Sequence, residues 1–156
     1  MIIADSTVLI TLINIDEFEI LKLFIEQVTI TNEVYTEISI QPSTKMFIDK
    51  EIAKGFIVVE PYKNRQLFKE INFILDAGEA SSITLALEEN LPLIRDEKKG
   101  RKFAKSKGID VIGLVGILRF LYVEKILNVD RTKEIIGKLN HSEFRISQKL
   151  LYMILC

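Results

Sequence analysis

Short runs of β-branched and aliphatic residues recur along this chain, separated by longer stretches of helical periodicity. That alternation limits its fold more than any other feature. The runs are Ile2-Ile3-Ala4, Val28-Thr29-Ile30, Phe56-Ile57-Val58-Val59, Leu93-Ile94-Arg95 and Ile109-Asp110-Val111-Ile112. Between them the spacing predicts helices over Asp16–Gln27, Asn32–Ser39, Lys45–Lys54, Gly78–Glu89 and Glu97–Lys107,. Helices are also predicted over Gly113–Val123, Asp130–Leu139 and Ser147–Leu155. The three prolines, Pro42, Pro61 and Pro92, fall between periodic segments, where proline does least harm,. Strands alternating with helices of this length imply parallel pairing, with helices covering both faces of the sheet. The expected fold is therefore α/β: three layers, α/β/α, around a central parallel sheet of about five strands.

At 156 residues the chain fits a single domain, 1–156, with a core that needs no disulfide,. Hydrophobic residues make up 48% and charged residues 28%, a globular balance,. The net charge of −1 argues against holding nucleic acid by bulk charge alone,. The longest nearly uncharged apolar stretch, Val111 to Leu118, is far short of the ~20 residues a spanning helix needs,. The first residues lack the basic segment of a secretory signal, so a cytoplasmic setting is expected,. The single cysteine, Cys156, excludes an internal disulfide, and the single histidine, His141, makes histidine-based zinc sites and catalytic triads implausible,. Any chemistry must come mostly from carboxylates.

Only seven of the 22 acids are aspartates, and two of them, Asp5 and Asp96, follow predicted strands directly. In open α/β sheets that edge is where ligands bind. Glu37 and Glu79 join them from helices that follow or precede other strands. Each acid also has a local explanation. Asp5 and Asp96 stand where helix N-caps stand. Asp76-Ala-Gly-Glu79 has the spacing of a capping box. Glu33 suits the positive end of its helix, whereas Glu37, mid-helix one turn later, is the hardest to explain as a cap or a solvated charge. Four acids from four segments at one sheet edge would need a cation, and carboxylate oxygens suit Mg²⁺ or Mn²⁺. Such a metal activates water and serves phosphodiester hydrolysis without histidine or cysteine.

The blocks Met-Ile-Ile-Ala-Asp5-Ser6-Thr7, Glu33-Val-Tyr-Thr-Glu37, Asp76-Ala-Gly-Glu79-Ala80 and Leu93-Ile-Arg-Asp96-Glu-Lys-Lys-Gly-Arg101 resemble those of the PIN domain. The last block, with Gly113-Leu-Val-Gly-Ile-Leu118 and Phe144-Arg-Ile-Ser147, is similar to a prokaryotic PIN subgroup of small proteins. The resemblance spans nearly the whole chain. It implies a metal-dependent nuclease, often a ribonuclease and in many cases the toxin of a toxin–antitoxin pair. Asp5, Glu37, Glu79 and Asp96 match the family's catalytic and metal-binding acids, with Mg²⁺ or Mn²⁺ as cofactor. Many PIN toxins carry a further aspartate shortly after the position of Asp96, where this chain has Glu97. The alternative is a PIN-fold module that binds nucleic acid or protein with weak or no catalysis. A receiver-type switch is disfavoured because Asp5 stands alone, and an Asp-x-Asp phosphatase because Thr7 takes the second acid position.

Thr7 and Arg101 are the candidate contacts to nucleic acid. Lys98, Lys99, Arg101, Lys102, Lys105 and Lys107 form the one basic cluster, either a catch for the RNA backbone or a solvated face,. Phe18, Phe24, Phe47, Phe68, Phe73 and Phe103 are read as core, and His141 as a solvated turn residue. The segments Phe18–Phe24 and Gly113–Val123 are apolar over much of their surface, which together with the resemblance predicts a homodimer. The apolar tail Lys149–Cys156 must dock on its own domain or on another chain,. An antitoxin protein, if present, would most simply block the acidic pocket with a basic side chain.

Overall fold

The computed structural model describes residues 1–142 and 147–156. Its elements are β1 (Ile2–Ala4), α1 (Ser6–Asn14), α2 (Glu19–Phe24), β2 (Val28–Ile30), α3 (Asn32–Ile38), α4 (Pro42–Ala53) and β3 (Ile57–Val59), then α5 (Arg65–Asn72), α6 (Ala77–Glu89), β4 (Leu93–Ile94), α7 (Lys98–Ser106), β5 (Val111–Ile112), α8 (Leu114–Val123), α9 (Val129–Asn140) and α10 (Gln148–Leu155). The Phe144–Ile146 part of the PIN-like ending lies outside the described residues.

The five strands are all parallel, in the order β3-β2-β1-β4-β5. The sheet is wound outward from β1 in both directions, so its switch point lies between β1 and β4, where Ile3 pairs with Leu93 and Ala4 with Ile94,. Side chains alternate across the sheet with period two. Ile2, Ala4 and Ile94 enter the larger core with Val8, Leu9 and Leu12 of α1 and Leu114, Ile117 and Leu118 of α8. Ile3 and Leu93 enter the smaller one with Ile71 of α5, Ile83 of α6 and Ala104 of α7. Each fully buried aliphatic side chain contributes about 1.5–3 kcal/mol. The three-layer α/β/α PIN-like fold expected from the sequence is thus the fold observed.

The same alternation fixes the site. Asp5 and Arg95 are the next same-face positions after Ile3 and Leu93, on the side of α5, α6 and α7. Asp96 follows Ile94 onto the opposite face, toward α8. Helix α6 is buried from Gly78 to Ala86. Its small residues Ala77, Gly78, Ala80, Ser81 and Ser82 let it lie close between the sheet, α3 and α5.

Three expectations are corrected. The helix predicted over Asp16–Gln27 begins only at Glu19, because Asp16 adopts a left-handed backbone (φ 59°) that ends α1 and turns Glu17 inward,. Glu17 is 2% exposed. It accepts 2.8 and 2.6 Å bonds from Arg131 Nη1 and Lys138 Nζ, and a second bond from Arg131 Nη2, tying this turn to α9. Helix α5 was not anticipated; it is capped by Asn64, whose side chain accepts from the Leu67 amide. Phe73 is not core but 95% exposed, because it follows the last residue of α5 and projects away from both cores. Of the other phenylalanines, Phe18 is fully buried, and Phe24, Phe47, Phe68 and Phe103 pack partly buried against the cores. The apolar tail docks on its own domain. Ile154 is buried in the larger core, and Arg119 Nη1 donates to its carbonyl at 3.0 Å.

Candidate functional site

Helix α6 opens with the capping box the sequence predicts. The Glu79 amide donates to Asp76 Oδ1 at 2.9 Å, and the Asp76 amide donates to Glu79 Oε2 at 3.1 Å. This leaves Glu79 Oε1 to face inward. The local and the functional explanation of Glu79 therefore coexist, one oxygen to each. Glu37, in the last turn of α3, accepts a hydrogen bond from Ser6 Oγ of α1. Its carboxylate lies on Gly78, where an added Cβ would meet Oε1 at 2.1 Å. Glycine is required at that position because a carboxylate presses against the first turn of α6, whose positive end favours an anion.

Asp5 occupies the N-cap position of α1, yet its side chain does not cap the helix. It turns under the sheet edge and is 3% exposed. Burial is the largest influence on its carboxyl and raises it. The Arg95 charge and the Ser6 amide pull it down, and the like charges of Glu37 and Asp76 push it up again. The balance stands at about 6 against the ordinary 3.8,.

Arg95 holds these acids together, a role that no motif in the sequence assigns to it. It is 1% exposed. Its Nη1 pairs with Asp5 Oδ2, while its Nη2 pairs with Glu79 Oε1 and donates to Glu97 Oε2 at 2.7 Å. Among the described residues its Nε has no hydrogen-bond partner. The stem runs beneath the first turns of α7, where a Cβ at Gly100 would meet Nε at 2.0 Å. The signal was present in the strand run Leu93-Ile94-Arg95. An arginine continuing a strand buried on both faces cannot stay unpaired, so it demands acids across the switch point.

Asp96 points the other way. Its Oδ1 accepts the Leu114 amide at 3.0 Å, so it caps α8 rather than its own α7, whose N-cap is Glu97. Burial raises its carboxyl; the Leu114 amide, Arg101 and Arg95 offset only part of that. Arg101 and Asp96 share the rim of a cavity of about 730 Å³, whose other walls include Val111, Val115, Leu150 and Met153. Thr7 is exposed in the first turn of α1. The lysines of α7 face solvent, apart from a 3.2 Å bond from Lys99 Nζ to the Ile74 carbonyl.

The structure thus gathers Asp5, Glu37 and Glu79, with Asp76 beside them, and sets Asp96 across β4. As donors, these oxygens suit the hard divalent cation implied by the resemblance. The carboxylates outnumber the one guanidinium among them, and burial, with a smaller push from Glu37 and Asp76, keeps the Asp5 carboxyl raised despite Arg95. Among the described residues, however, no three His, Cys, Asp or Glu side chains stand ready as a ligand set. Arg95 lies between Asp5 and Glu79. The donor set fits the metal; the ground arrangement gives that place to an arginine.

No helix among the described residues is long and apolar enough to cross a membrane. No individual curated protein matches the chain significantly. A family profile described as a PIN domain matches it over residues 1–156. With the five-stranded parallel sheet and the acids gathered at its switch point, that match makes this chain a member of the PIN-domain family.

Proposed function

We propose that this protein is a nuclease that hydrolyses RNA phosphodiester bonds with Mg²⁺ or Mn²⁺. The observation that carries this reading is the meeting of Asp5, Glu37 and Glu79, from three separate elements, at the switch point of the sheet. Under this reading Asp5, Glu37 and Glu79 hold the metal; the resemblance makes Asp96 the fourth acid of the set, although here its Oδ1 accepts the Leu114 amide and caps α8. When bound, the metal supplies a water of lowered pKa and neutralises charge on the leaving oxygen. The protein's own groups position and bind. Ser6 orients Glu37, and the capping box fixes Glu79 against α6. Arg101 and Thr7, with the α7 lysines, engage the RNA backbone and place the scissile phosphate at the pocket mouth.

A toxin role follows from the same reading, with an antitoxin whose basic side chain enters the acidic pocket. A homodimer is supported by the exposed Leu23, Phe120 and Val123 on the packed α2 and α8 helices,. Light scattering that shows one chain at all concentrations would reject it. For the activity, RNA should be cleaved in Mg²⁺ or Mn²⁺ and preserved in EDTA. Folded protein that leaves varied RNAs intact in both metals would overturn the assignment. The second reading is a non-catalytic PIN-fold binding module. Arg95 favours it, because Asp5 and Glu79 are already paired. RNA retention on a filter without cleavage would select it.

A further inference from the structure

We propose that Arg95 is an internal competitor of the metal: its guanidinium holds the place between Asp5 and Glu79 and must withdraw toward Glu97 for a divalent cation to enter. This inference rests on the metal-binding reading of the pocket.

Three observations carry it. First, the guanidinium pairs with both Asp5 and Glu79, so a cation shared by those two carboxylates and the present Arg95 position exclude one another. Second, Arg95 is incompletely satisfied. Its buried Nε has no acceptor among the described residues, unlike a settled structural arginine, which uses its whole fork,. Third, it has a way out. Its third partner, Glu97, stands at the rim with 61% of its side chain exposed, against 7% for Glu79 and 5% for Asp5. A guanidinium that kept the Glu97 bond while releasing the inner two would carry its charge toward solvent and never be left unpaired. Glu97 then serves as the resting partner of Arg95 rather than as a metal ligand. Gly100 belongs to the same device, since only a residue without Cβ lets the stem lie under α7.

Isothermal titration of Mn²⁺ into the full chain, read beside the Mn²⁺ electron-spin signal, tests the proposal directly. Arg95→Gln should bind Mn²⁺ roughly tenfold or more tightly than wild type. Gly100→Ala should shift binding in the same direction, because it displaces Nε without touching any carboxylate. Lys133→Gln removes an equal charge from the exposed face of α9 and should leave Mn²⁺ affinity within about twofold of wild type,. If Arg95→Gln does not fold, Gly100→Ala and Glu97→Gln decide the matter. Glu97→Gln removes the resting partner and should weaken Mn²⁺ binding. Equal affinities in wild type, Arg95→Gln and Gly100→Ala would overturn the competition and leave the metal reading intact. An equal gain in Lys133→Gln would also overturn it, by reducing the effect to general charge. Absence of Mn²⁺ binding in every variant would overturn both. Tighter binding in Arg95→Gln without RNA cleavage would keep the competition and reject the nuclease.

Discussion

Around Glu17 one carboxylate meets two cations; around Arg95 one guanidinium meets three carboxylates, with Glu37 and Asp76 close enough to act on Asp5. Both clusters centre on an almost fully buried ion, and both join segments distant in sequence. Burial by itself would raise the Glu17 carboxyl, but the bonds from Arg131 and Lys138 outweigh it and hold it below the ordinary 4.5. At Asp5 burial wins. A buried ion is settled when its partners outnumber it, and unsettled when it is shared among too many. The first arrangement fastens α9 to the turn after α1. The second keeps negative charge in reserve at the sheet edge, which suits a place where something else must bind.

Breaking the second cluster should have the largest effect. Arg95→Ala leaves Asp5 and Glu79 buried without a cation. It should lower stability by about 3–5 kcal/mol at neutral pH in EDTA, as measured by urea unfolding. The loss should shrink as the pH is lowered and the acids take up protons. A loss that stays constant with pH would mean that packing of the stem, not charge, is what Arg95 contributes.

Asp5→Asn should act in the opposite direction. The folded carboxyl, near 6, lies above the ordinary 3.8, so the folded state holds its proton longer than the unfolded chain does. Wild-type stability should therefore fall as pH rises between those two values, by on the order of 2–3 kcal/mol. Asp5→Asn should remove that slope and melt higher than wild type at neutral pH without metal, while losing stabilisation by added Mn²⁺. A lower melting point would show that its bond to Arg95 outweighs its burial.

Glu17 has the reverse pH dependence. Its lowered carboxyl contributes stability that is present above the ordinary 4.5 and is lost as pH falls through the folded value. Glu17→Gln should cost about 1 kcal/mol at neutral pH, a figure kept modest because Arg131 and Lys138 are each more than a third exposed,. The cost should vanish in acid. Asp96→Asn sits at the small end. Asparagine accepts the Leu114 amide about as well, so the cap is kept, and losing a carboxylate that burial disfavours should raise stability at neutral pH without metal by no more than about 0.5 kcal/mol in thermal unfolding,.

The strands were legible because short continuous aliphatic runs, set between longer stretches of helical spacing, have few solutions other than buried parallel strands. The acids were legible because aspartate is scarce and falls at strand ends. Other features resisted for definite reasons. Asp96 and Arg95 are neighbours in sequence, yet a strand sends them to opposite faces, so adjacency hid that one belongs with α8 and the other with α6. Glu17 looked like the opening of a helix because its partners, Arg131 and Lys138, lie more than a hundred residues away. Phe73 matched helical spacing, but spacing does not say where the helix ends. Arg95 was passed over as the close of an apolar run, when the more informative reading was a charge out of place.

The burial of α6 has a consequence for how the molecule breathes. An amide buried in the middle of a core helix trades its hydrogen with solvent only when much of the domain opens, whereas the ends of exposed helices open alone. The amides from Gly78 to Ala86 should thus be among the slowest to exchange, and those of α7, whose lysines face water, among the faster. Glu79 and the seat of Glu37 are then anvil-like, fixed on the slowest-opening part of the chain. The roof over Arg95, the first turns of α7, should open at lower cost than that floor.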